Sequence, residues 1–335
     1  MIRIALDAMG GDNAPFSNVK GAVAALKENN DIEVILVGQE DAIRKELEGE
    51  TYDPERLTIR HASEIIETGD VPVEAIRKKK DSSLVVGMKM LKEKEADAFV
   101  SAGSTGAILV GGQIIAGRLP GVQRAPLAVV MPTLKGQSLL IDCGANVDAK
   151  PDNLVQFAVM GSLYAKYILG IEEPTVGLVN IGTEEEKGNA LTREVYPMLK
   201  ACESIHFTGN AEARDLPFGV ADVYVCEAFA GNIVLKMYEG VAKALLKEIK
   251  GALMSSTRGK IGGFLIKPSL KGLMKQFDSS EDGGAPMLGL TGLIVKAHGN
   301  STELQMKNAI LQCISFKEND LSSKIEEAIG ALKHE

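Results

Sequence analysis

The sequence predicts an α/β fold built on a doubly wound, mostly parallel sheet with helices on both faces. Short β-branched runs alternate with amphipathic stretches from the first residue to about residue 300, which is typical of repeated strand–helix–strand units. The apolar runs are continuous rather than alternating, which indicates strands buried on both faces, as in a parallel sheet. Right-handed crossovers between such strands would place helices on both sides of the sheet.

The predicted strands are short runs rich in Val, Ile and Leu. They cover residues 2–6, 34–37, 98–100, 127–130, 139–141, 176–179, 223–225 and 293–295. Stretches with helical spacing separate them, and these cover residues 18–27, 82–94, 154–169, 190–200 and 234–246. Ser301 or Thr302 is placed to cap a C-terminal helix. Because the sequence contains no repeat and no Pro/Ser-rich linker, we expect residues 1–335 to form one domain.

Composition and charge exclude several classes of protein. The chain carries 37 basic and 45 acidic residues, a formal net charge of −8, which disfavours a nucleic-acid partner because phosphate backbones need a basic surface. No apolar run has the length of a membrane span and the N-terminus lacks a signal-peptide layout, so we expect a cytoplasmic protein. The cysteines form no CxxC pair, and we interpret them as buried reduced thiols.

Small polar residues follow several of the predicted strands. These segments are 7–12, 101–106, 142–150, 180–183, 227–232 and 296–300. In open α/β sheets, ligands bind outside the carboxyl ends of the strands. We therefore expect these segments to meet at one rim that forms the active site.

The segment 101–106 indicates an anion site at the start of a helix. Gly103 and Gly106 allow a ligand to approach the backbone closely, while Ser104 and Thr105 offer hydroxyl donors. The following helix points its free N–H groups at the ligand, and Ser101 belongs to the same predicted phosphate site. The alternative is a plain helix cap whose glycines serve packing.

The segment 180–189 is a second candidate for phosphate binding. Thr183 and Asn189 offer donors, and Lys187 offers a positive point charge. The alternative is a solvated acidic loop that caps the next helix, since residues 184–186 are all glutamates that would repel an anion. The phosphate hypothesis requires Lys187 to turn inward.

The sequence lacks the common signatures of nucleotide, metal and covalent catalysis. It contains no GxxxxGK[ST] loop, no GxGxxG after the first strand, no GxSxG elbow and no HxxxH spacing. We therefore expect no cofactor and no metal, and we interpret Asp7 and Asp12 as turn-forming residues. Cys143 and Cys226 are predicted to pack rather than react. His298, at a strand end, is the histidine best placed for acid–base chemistry.

Taken together, the motifs resemble the PlsX-type phosphate acyltransferases of bacterial phospholipid synthesis, in order along nearly the whole chain. They are DAMGGDNAP (7–15), RKKKDSS (77–83), SAGSTGA (101–107), DCGANVDAKP (142–151), NIGTEEEKGN (180–189), GNAEARDL (209–216), AFAGNIVLK (228–236) and KAHGNS (296–301). The sequence departs from the family pattern at Asn13, where His is common, at Ser104, where Asn is common, and at 227–228, where Asp-Gly is usual.

The resemblance implies a fold, an activity and partners. The fold would be similar to that of isocitrate and isopropylmalate dehydrogenases and of phosphotransacetylase. The activity would be transfer of a long-chain acyl group from acyl carrier protein to inorganic phosphate. The protein would be a homodimer that touches the membrane peripherally and supplies acyl-phosphate to a glycerol-phosphate acyltransferase.

The resemblance also suggests which residues act. Phosphate is already a nucleophile at neutral pH, so the enzyme must supply positioning and donors for the developing oxyanion. The candidate donors are the backbone N–H groups of 103–106, Asn146, Lys187 and Asn232, with His298 as the proton donor to the leaving thiolate.

A basic run is the candidate surface for the acidic carrier protein. It consists of Arg77, Lys78, Lys79 and Lys80. Its positive charge would attract an acidic partner, although the phosphates of coenzyme A would suit it equally.

A second basic segment reverses the charge of the acidic chain. No acidic residue lies between Glu248 and Asp278, and apolar side chains are interleaved with lysines. We interpret this amphipathic excursion, at about residues 250–280, as a surface that meets anionic lipid. The predicted membrane contacts are Ile261, Phe264, Leu265, Ile266 and Lys267. The alternative is a helical hairpin in a dimer interface.

Three other functions compete with acyl transfer from a carrier protein. A short-chain phosphotransacetylase acting on acyl-CoA would share the fold and the reaction type. A decarboxylating dehydrogenase would need an aspartate cluster for metal and a dinucleotide site, and the sequence offers neither. A non-catalytic membrane scaffold would leave the polar strand ends unexplained.

Overall fold

A computed structural model describes residues 1–276 and 283–332 and divides the strands between two sheets. The strands are β1 (Ile2–Asp7), β2 (Ile32–Gly38), β3 (Leu57–His61), β4 (Ala98–Ser101), β5 (Ala128–Thr133), β6 (Gly136–Ile141), β7 (Thr175–Asn180), β8 (His206–Glu212), β9 (Val223–Val225), β10 (Ala285–Met287) and β11 (Leu293–Lys296). The first sheet has the order β10-β11-β4-β1-β2-β3, and the second has the order β5-β6-β9-β7-β8.

The helices lie around these sheets. They are α1 (Phe16–Glu28), α2 (Glu40–Leu47), α3 (Pro72–Lys78), α4 (Ser83–Lys92), α5 (Thr105–Gly111), α6 (Pro151–Tyr167), α7 (Ala190–Ala201), α8 (Ala228–Met254), α9 (Thr257–Gln276), α10 (Glu303–Glu318) and α11 (Leu321–Ala331). A π-helical turn, Gly112–Ala116, extends α5. As predicted, Thr302 caps α10, because its hydroxyl accepts from the N–H of Gln305.

The predicted fold class is confirmed. Apart from the antiparallel pairs β5–β6 and β10–β11, the paired strands run parallel. Ile4 and Leu6 of β1 belong to one fully buried apolar cluster and Ala5 to another, so alternate residues are buried on opposite faces of the sheet. The prediction missed β3 and β8. Both are edge strands in which exposed residues interrupt the buried ones, so neither forms a continuous apolar run.

The polar strand ends do not share the edge of one sheet, because they belong to two sheets. The ends of β1, β4 and β11 lie on the first sheet, and those of β6, β7 and β9 on the second. The sheets meet where β5 and β10 come together: Leu127 forms a β-bridge with Met287, and the N–H of Leu288 donates to the carbonyl of Pro126 at 3.1 Å. The functional site must therefore be sought between the sheets.

Helices α8 and α9 form the predicted excursion, which starts earlier than expected. The fully buried residues of α8 lie in its first turn, at Ala228 and Gly231, and the hydroxyl of Tyr238 donates to the carbonyl of Pro132 two turns later. A Cβ on Gly231 would lie 1.9 Å from the carbonyl oxygen of Asp142. Glycine is therefore required for α8 to approach the end of β6. Residues 277–280 of the excursion lie outside the described residues.

We expect Gly231→Ala to destabilise the protein, because its methyl group would overlap the backbone of Asp142. Overpacking of this kind costs about 1–3 kcal/mol in free energy of unfolding, which urea denaturation would measure. The matched control is Gly240→Ala in the same helix, where a Cβ would meet nothing within 4 Å and the better helix propensity of Ala would add up to ~1 kcal/mol. Equal effects of the two changes would contradict the proposed close approach.

Candidate functional site

A buried carboxylate orders the ends of β1 and β4. The hydroxyl of Ser101 donates to Asp7 at 2.7 Å, and the N–H of Gly103 donates to that hydroxyl at 3.0 Å. The N–H of Met9 also donates to Asp7, at 3.1 Å. Burial raises the pKa of Asp7, and these hydrogen bonds oppose the shift. The Ser101 side chain is thus buried and already bonded, so its contacts favour ordering of the turn over direct binding of phosphate.

A second buried carboxylate, Asp142, orders the end of β6. Its two oxygens accept from the N–H groups of Leu127, Gly144, Ala145 and Asn146 and from the amide of Asn146, at 2.7–3.1 Å. Burial raises the pKa of Asp142 while these donors oppose the rise. The turn that follows β6 is therefore held by one side chain.

Asn146 has no free donor for a substrate in this structure. Its amide nitrogen donates to Asp142 at 2.7 Å and to the carbonyl of Ala125 at 2.9 Å, which uses both N–H groups. Its backbone carbonyl accepts from the N–H of Ala228 at 3.1 Å. The predicted role of Asn146 as an oxyanion donor is not supported by these contacts, which join the β6 turn to α8 instead.

The departure from the family pattern at 227–228 has a structural account. The Glu227 carboxylate caps α8 by accepting from the N–H groups of Phe229 and Ala230, at 2.6 and 2.9 Å. Ala228 does not adopt a positive φ, so glycine is not required there. The longer acid therefore serves as the helix cap, and α8 begins normally.

A cavity of about 560 Å³ lies between the two sheets. It is bounded by the start of α5, by β5, by the turn after β6, by α8 and by the end of β11. Its polar side chains include Thr105, Gln137, Asn232, Lys236, Tyr238, Glu239, Lys243, Lys296, His298 and Gln312. Its large apolar residues include Leu109, Leu127, Val129, Val130, Met131, Leu235 and Leu246. The cavity thus places a basic polar group of residues beside an apolar wall.

The basic residues of the cavity influence one another. Burial lowers the pKa of Lys296, and the Asp12 carboxylate opposes this shift. The ammonium of Lys296 donates to the carbonyl of Ala297 at 2.7 Å. Burial, together with Lys296 and Lys243, lowers the pKa of His298. Glu239 opposes that shift, with its carboxylate 3.9 Å from Nε2 of His298. The lowered pKa favours the neutral form of the ring, and the role of His298 as proton donor to the leaving thiolate stays a prediction.

The structure brings some of the predicted residues together at this cavity. Thr105 and Gly106 reach it from α5, Asn232 from α8, and His298 from the segment after β11. Asn232 faces the turn after β6, since its amide nitrogen would lie 3.6 Å from a Cβ placed on Gly144. Ser104 and Gly103 precede α5 and do not line the cavity.

The segment 180–189 does not reach the cavity. It follows β7, which is separated from β6 by β9. Thr183 and Lys187 are exposed, and the carbonyl of Lys187 accepts from Asn180 at 3.1 Å. The side chain of Asn189 caps α7 by accepting from the N–H of Thr192 at 2.9 Å. These contacts match the alternative of a solvated capping loop, and phosphate binding by this segment stays a prediction.

The basic run lies at the C-terminal end of α3, and none of its residues lines the cavity. The first residue of α3, Pro72, packs closely on Gly106 of the cavity. A Cβ added to Gly106 would lie 2.6 Å from the Pro72 side chain. Lys78 pairs with Glu74 at 2.7 Å and Lys79 with Asp70 at 2.5 Å. The other two members of the run, Arg77 and Lys80, are exposed.

The predicted membrane residues are exposed on α9. Ile261, Phe264, Leu265 and Ile266 are 60%, 78%, 71% and 47% exposed, and Lys267 is exposed as well. No helix in the described part of the chain combines the length and the apolar content needed to cross a membrane.

The cysteines near the cavity are buried. Burial raises the pKa of Cys143 and of Cys226 well above the usual range, which keeps both thiols protonated and poorly nucleophilic. The thiol of Cys143 donates to the carbonyl of Leu140 at 3.0 Å. These observations favour the interpretation of both residues as packing residues.

Sequence reasoning missed the lysines and the glutamate of the cavity. Lys236 and Lys296 stand inside motifs quoted above, and a lysine that ends an apolar strand is an available signal. Lys236, Glu239 and Lys243 follow one another at spacings of three and four residues, which puts them on one face of a helix. That pattern identifies a shared face but not the cavity that it lines.

The chain is similar in sequence to phosphate acyltransferases. A family model described as fatty acid synthesis protein matches residues 2–324. A protein named phosphate acyltransferase from Clostridium tetani is 48% identical over 328 residues, 98% of each chain. One of the same name from Brevibacillus brevis is 49% identical over 329 residues, 98% of this chain and 97% of its own.

Solved structures share the fold at low sequence identity. A phosphotransacetylase from Streptococcus pyogenes superimposes with a TM-score of 0.61 at 18% identity, covering 94% of each chain. The EutD phosphotransacetylase from Staphylococcus aureus gives a TM-score of 0.59 at 18% identity, covering 95% of this chain and 94% of its own. At these identities the likeness establishes the fold alone.

We expect the pKa of His298, measured by NMR titration, to lie below its ordinary value. Lys243→Met should raise this pKa, because it removes a positive charge that disfavours the protonated ring. Lys247→Met is the control, since Lys247 is exposed one turn further along α8 and does not line the cavity. An unchanged titration in the Lys243 variant would show that the two groups do not interact.

Proposed function

The chain belongs to the phosphate acyltransferase family, and we propose that it transfers a long-chain fatty acyl group from acyl carrier protein to inorganic phosphate. The product would be acyl-phosphate for phospholipid synthesis. The observation that carries the proposal is the cavity between the sheets, in which an apolar wall faces a cluster of lysines. The relatives support it through their name, which gives phosphate as the acyl acceptor.

The basic side of the cavity suits inorganic phosphate. Lys236, Lys243 and Lys296 outnumber the single carboxylate of Glu239, so the cavity attracts an anion although the whole chain is acidic. Lys296 is the most enclosed of the three, since it is half-buried at the end of β11. A hydrogen bond between a charged donor and phosphate contributes about 1.5–3 kcal/mol.

The apolar side suits a fatty acyl chain. Val129 and Met131 of β5 and Leu235 and Leu246 of α8 line the cavity. Each methylene group that leaves water for such a surface contributes about 0.8 kcal/mol. A long chain would therefore bind with its thioester near the polar residues and its tail along this wall.

The proposed reaction is direct displacement. An oxygen of hydrogenphosphate attacks the thioester carbonyl carbon, the new C–O bond forms, the C–S bond breaks, and sulfur leaves with the electron pair. The proton of hydrogenphosphate ends on the released thiol. The lowered pKa of His298 suits this transfer, because it favours a ring with a free nitrogen that can accept the proton and pass it to sulfur.

Donors for the developing oxyanion are available at two helix starts. The side-chain amide of Asn232, in the first turns of α8, lines the cavity and has no partner among the described residues. The hydroxyl of Thr105, at the start of α5, lines the opposite side. Losing one such donor typically costs about 2.7–4 kcal/mol of transition-state stabilisation.

We further propose that the protein is cytoplasmic, dimeric and peripherally bound to membrane. The run 77–80 would receive the acyl carrier protein, because it lies at the end of α3, whose first residue, Pro72, packs against the cavity at Gly106. The exposed apolar side chains of α9 would insert into an anionic leaflet, with lysines attracted to its charge. That location would favour delivery of acyl-phosphate to a glycerol-phosphate acyltransferase.

We expect the purified protein to form acyl-phosphate from long-chain acyl carrier protein and phosphate, without added metal or nicotinamide. Lys296→Met should raise the KM for phosphate about tenfold or more, because it removes an enclosed charged donor. Lys187→Met is the matched comparison. A larger rise in the KM for phosphate in this variant than in Lys296→Met would show that the segment 180–189 closes over phosphate. Product from acyl-CoA but not from acyl carrier protein would contradict the proposed donor.

We expect the protein to co-sediment with phosphatidylglycerol vesicles and to be released by salt, since the Debye length falls to roughly 3 Å at 1 M. Leu265→Glu should abolish sedimentation but leave turnover of soluble acyl carrier protein intact. Leu134→Glu is the control, because Leu134 is equally exposed, at 71%, on the β5–β6 turn. Loss of a dimer without loss of vesicle binding in the Leu265 variant would identify α9 as an interface instead.

A further inference from the structure

A second cavity, of about 450 Å³, is lined almost entirely by polar side chains. Arg118, Arg124 and Lys150 supply three positive charges, and Asp148 is the only acid in its lining. This concentration of positive charge is unusual in a chain of net charge −8. It lies outside the candidate active site and matches none of the segments that the sequence singled out for carrier-protein or membrane contact.

The cations of this cavity are largely free. Arg118 donates to the carbonyl of Gln123, which leaves its other N–H groups available. Arg124 and Lys150 have no side-chain partner in the described part of the chain, and both are exposed. The remaining polar residues order the surroundings, since Asn153 donates to Gln123 and accepts from the N–H of Lys150, both at 2.9 Å.

The second cavity is a neighbour of the first, because the same two segments line both. Helix α5 and its π-helical extension contribute Gly106 to the first cavity and Ile114 to the second. These residues are eight positions apart, about 12 Å along a helix, and the nearest pair, Leu109 of the first cavity and Gln113 of the second, is about 6 Å apart. The segment after β6 likewise contributes Gly144 to the first cavity and Lys150 to the second.

This placement distinguishes the second cavity from a site for the attacking phosphate. A nucleophile must lie within about 3–3.5 Å of the carbonyl carbon, whereas the second cavity is displaced by about 6–12 Å along the helix. A thioester donor with a long arm does reach that far. With its acyl tail on the apolar wall, the arm must leave the first cavity, and it carries a phosphate at its far end.

We propose that the second cavity binds the phosphate of the phosphopantetheine arm of the acyl donor. The proposal rests on the function proposed above, since it assumes a thioester donor at the first cavity. Arg124 and Lys150 hold the phosphate as charge-assisted donors, and Arg118 adds a third donor. The contact fixes the arm at one end while the thioester is placed beside Asn232 at the other.

Binding tests the proposal independently of turnover. By calorimetry, the intact protein should bind phosphopantetheine about tenfold or more tightly than pantetheine, because only the former carries the anion. Arg124→Ala/Lys150→Ala should remove this preference, and Arg124→Lys/Lys150→Arg should keep most of it. Lys45→Ala/Lys92→Ala is the matched control, since it removes the same charge from exposed lysines on α2 and α4.

Kinetics then identify the source of the phosphate. In Arg124→Ala/Lys150→Ala, the KM should rise about tenfold for acyl carrier protein and for acyl-phosphopantetheine, but not for acyl-pantetheine. A rise for acyl carrier protein alone would assign the cavity to the acidic surface of the carrier and overturn the proposal. So would a rise in the KM for inorganic phosphate alone, or equal effects on all three donors.

The two hypotheses fail differently. If the wild-type protein forms no acyl-phosphate from any donor, the proposed function fails, and the binding preference still decides whether the cavity recognises the phosphate. If acyl-phosphate forms but phosphopantetheine binds no better than pantetheine, the inference about the second cavity is wrong and the proposed function stands.

Discussion

The carboxylate of Asp142 is the interaction on which the rest of the site depends. Its oxygens accept five N–H donors, and one of them, from Leu127, comes from the chain that enters β5. Because every partner is a donor, the ionised form fits, and hydrogen bonds to a charged group contribute about 1.5–3 kcal/mol each. Through Asn146 the same turn is bonded to the start of α8. One buried acid thus fixes the relative positions of β5, β6 and α8, which form three walls of the cavity.

Much of the fold followed from the sequence because buried parallel strands have a strong signature. Continuous runs such as 98–100 can be buried only between two layers of helices, and these strands formed where expected. In edge strands such as β3, exposed residues interrupt the buried ones, so no continuous apolar run identifies these strands. The division into two sheets was not predictable, since apolar runs identify strands but not which strands pair.

The candidate site was only partly accessible to sequence reasoning. Thr105 and Asn232 were found because they follow strand ends, and both line the cavity. Asn146 was chosen for the same reason, yet its donors are used within the turn. The position of a residue at a strand end predicts where its side chain lies, but not whether the donors of that side chain are already hydrogen-bonded within the protein. Lys243 lies about four turns into α8, far from any strand end, so only the packing of α8 against the cavity reveals it.

Helix α8 joins two regions that would otherwise be independent. It runs for 27 residues, about 40 Å at 1.5 Å per residue, with Asn232 at one end and the connection to α9 at the other. A helix of this length acts as a lever, so a small rotation about its first three turns, which contact the rest of the protein as far as Tyr238 and Glu239, would move its far end through several ångströms. Any occupant that prefers one orientation of the lever changes the affinity at the opposite end, and linkage makes that influence equal in both directions.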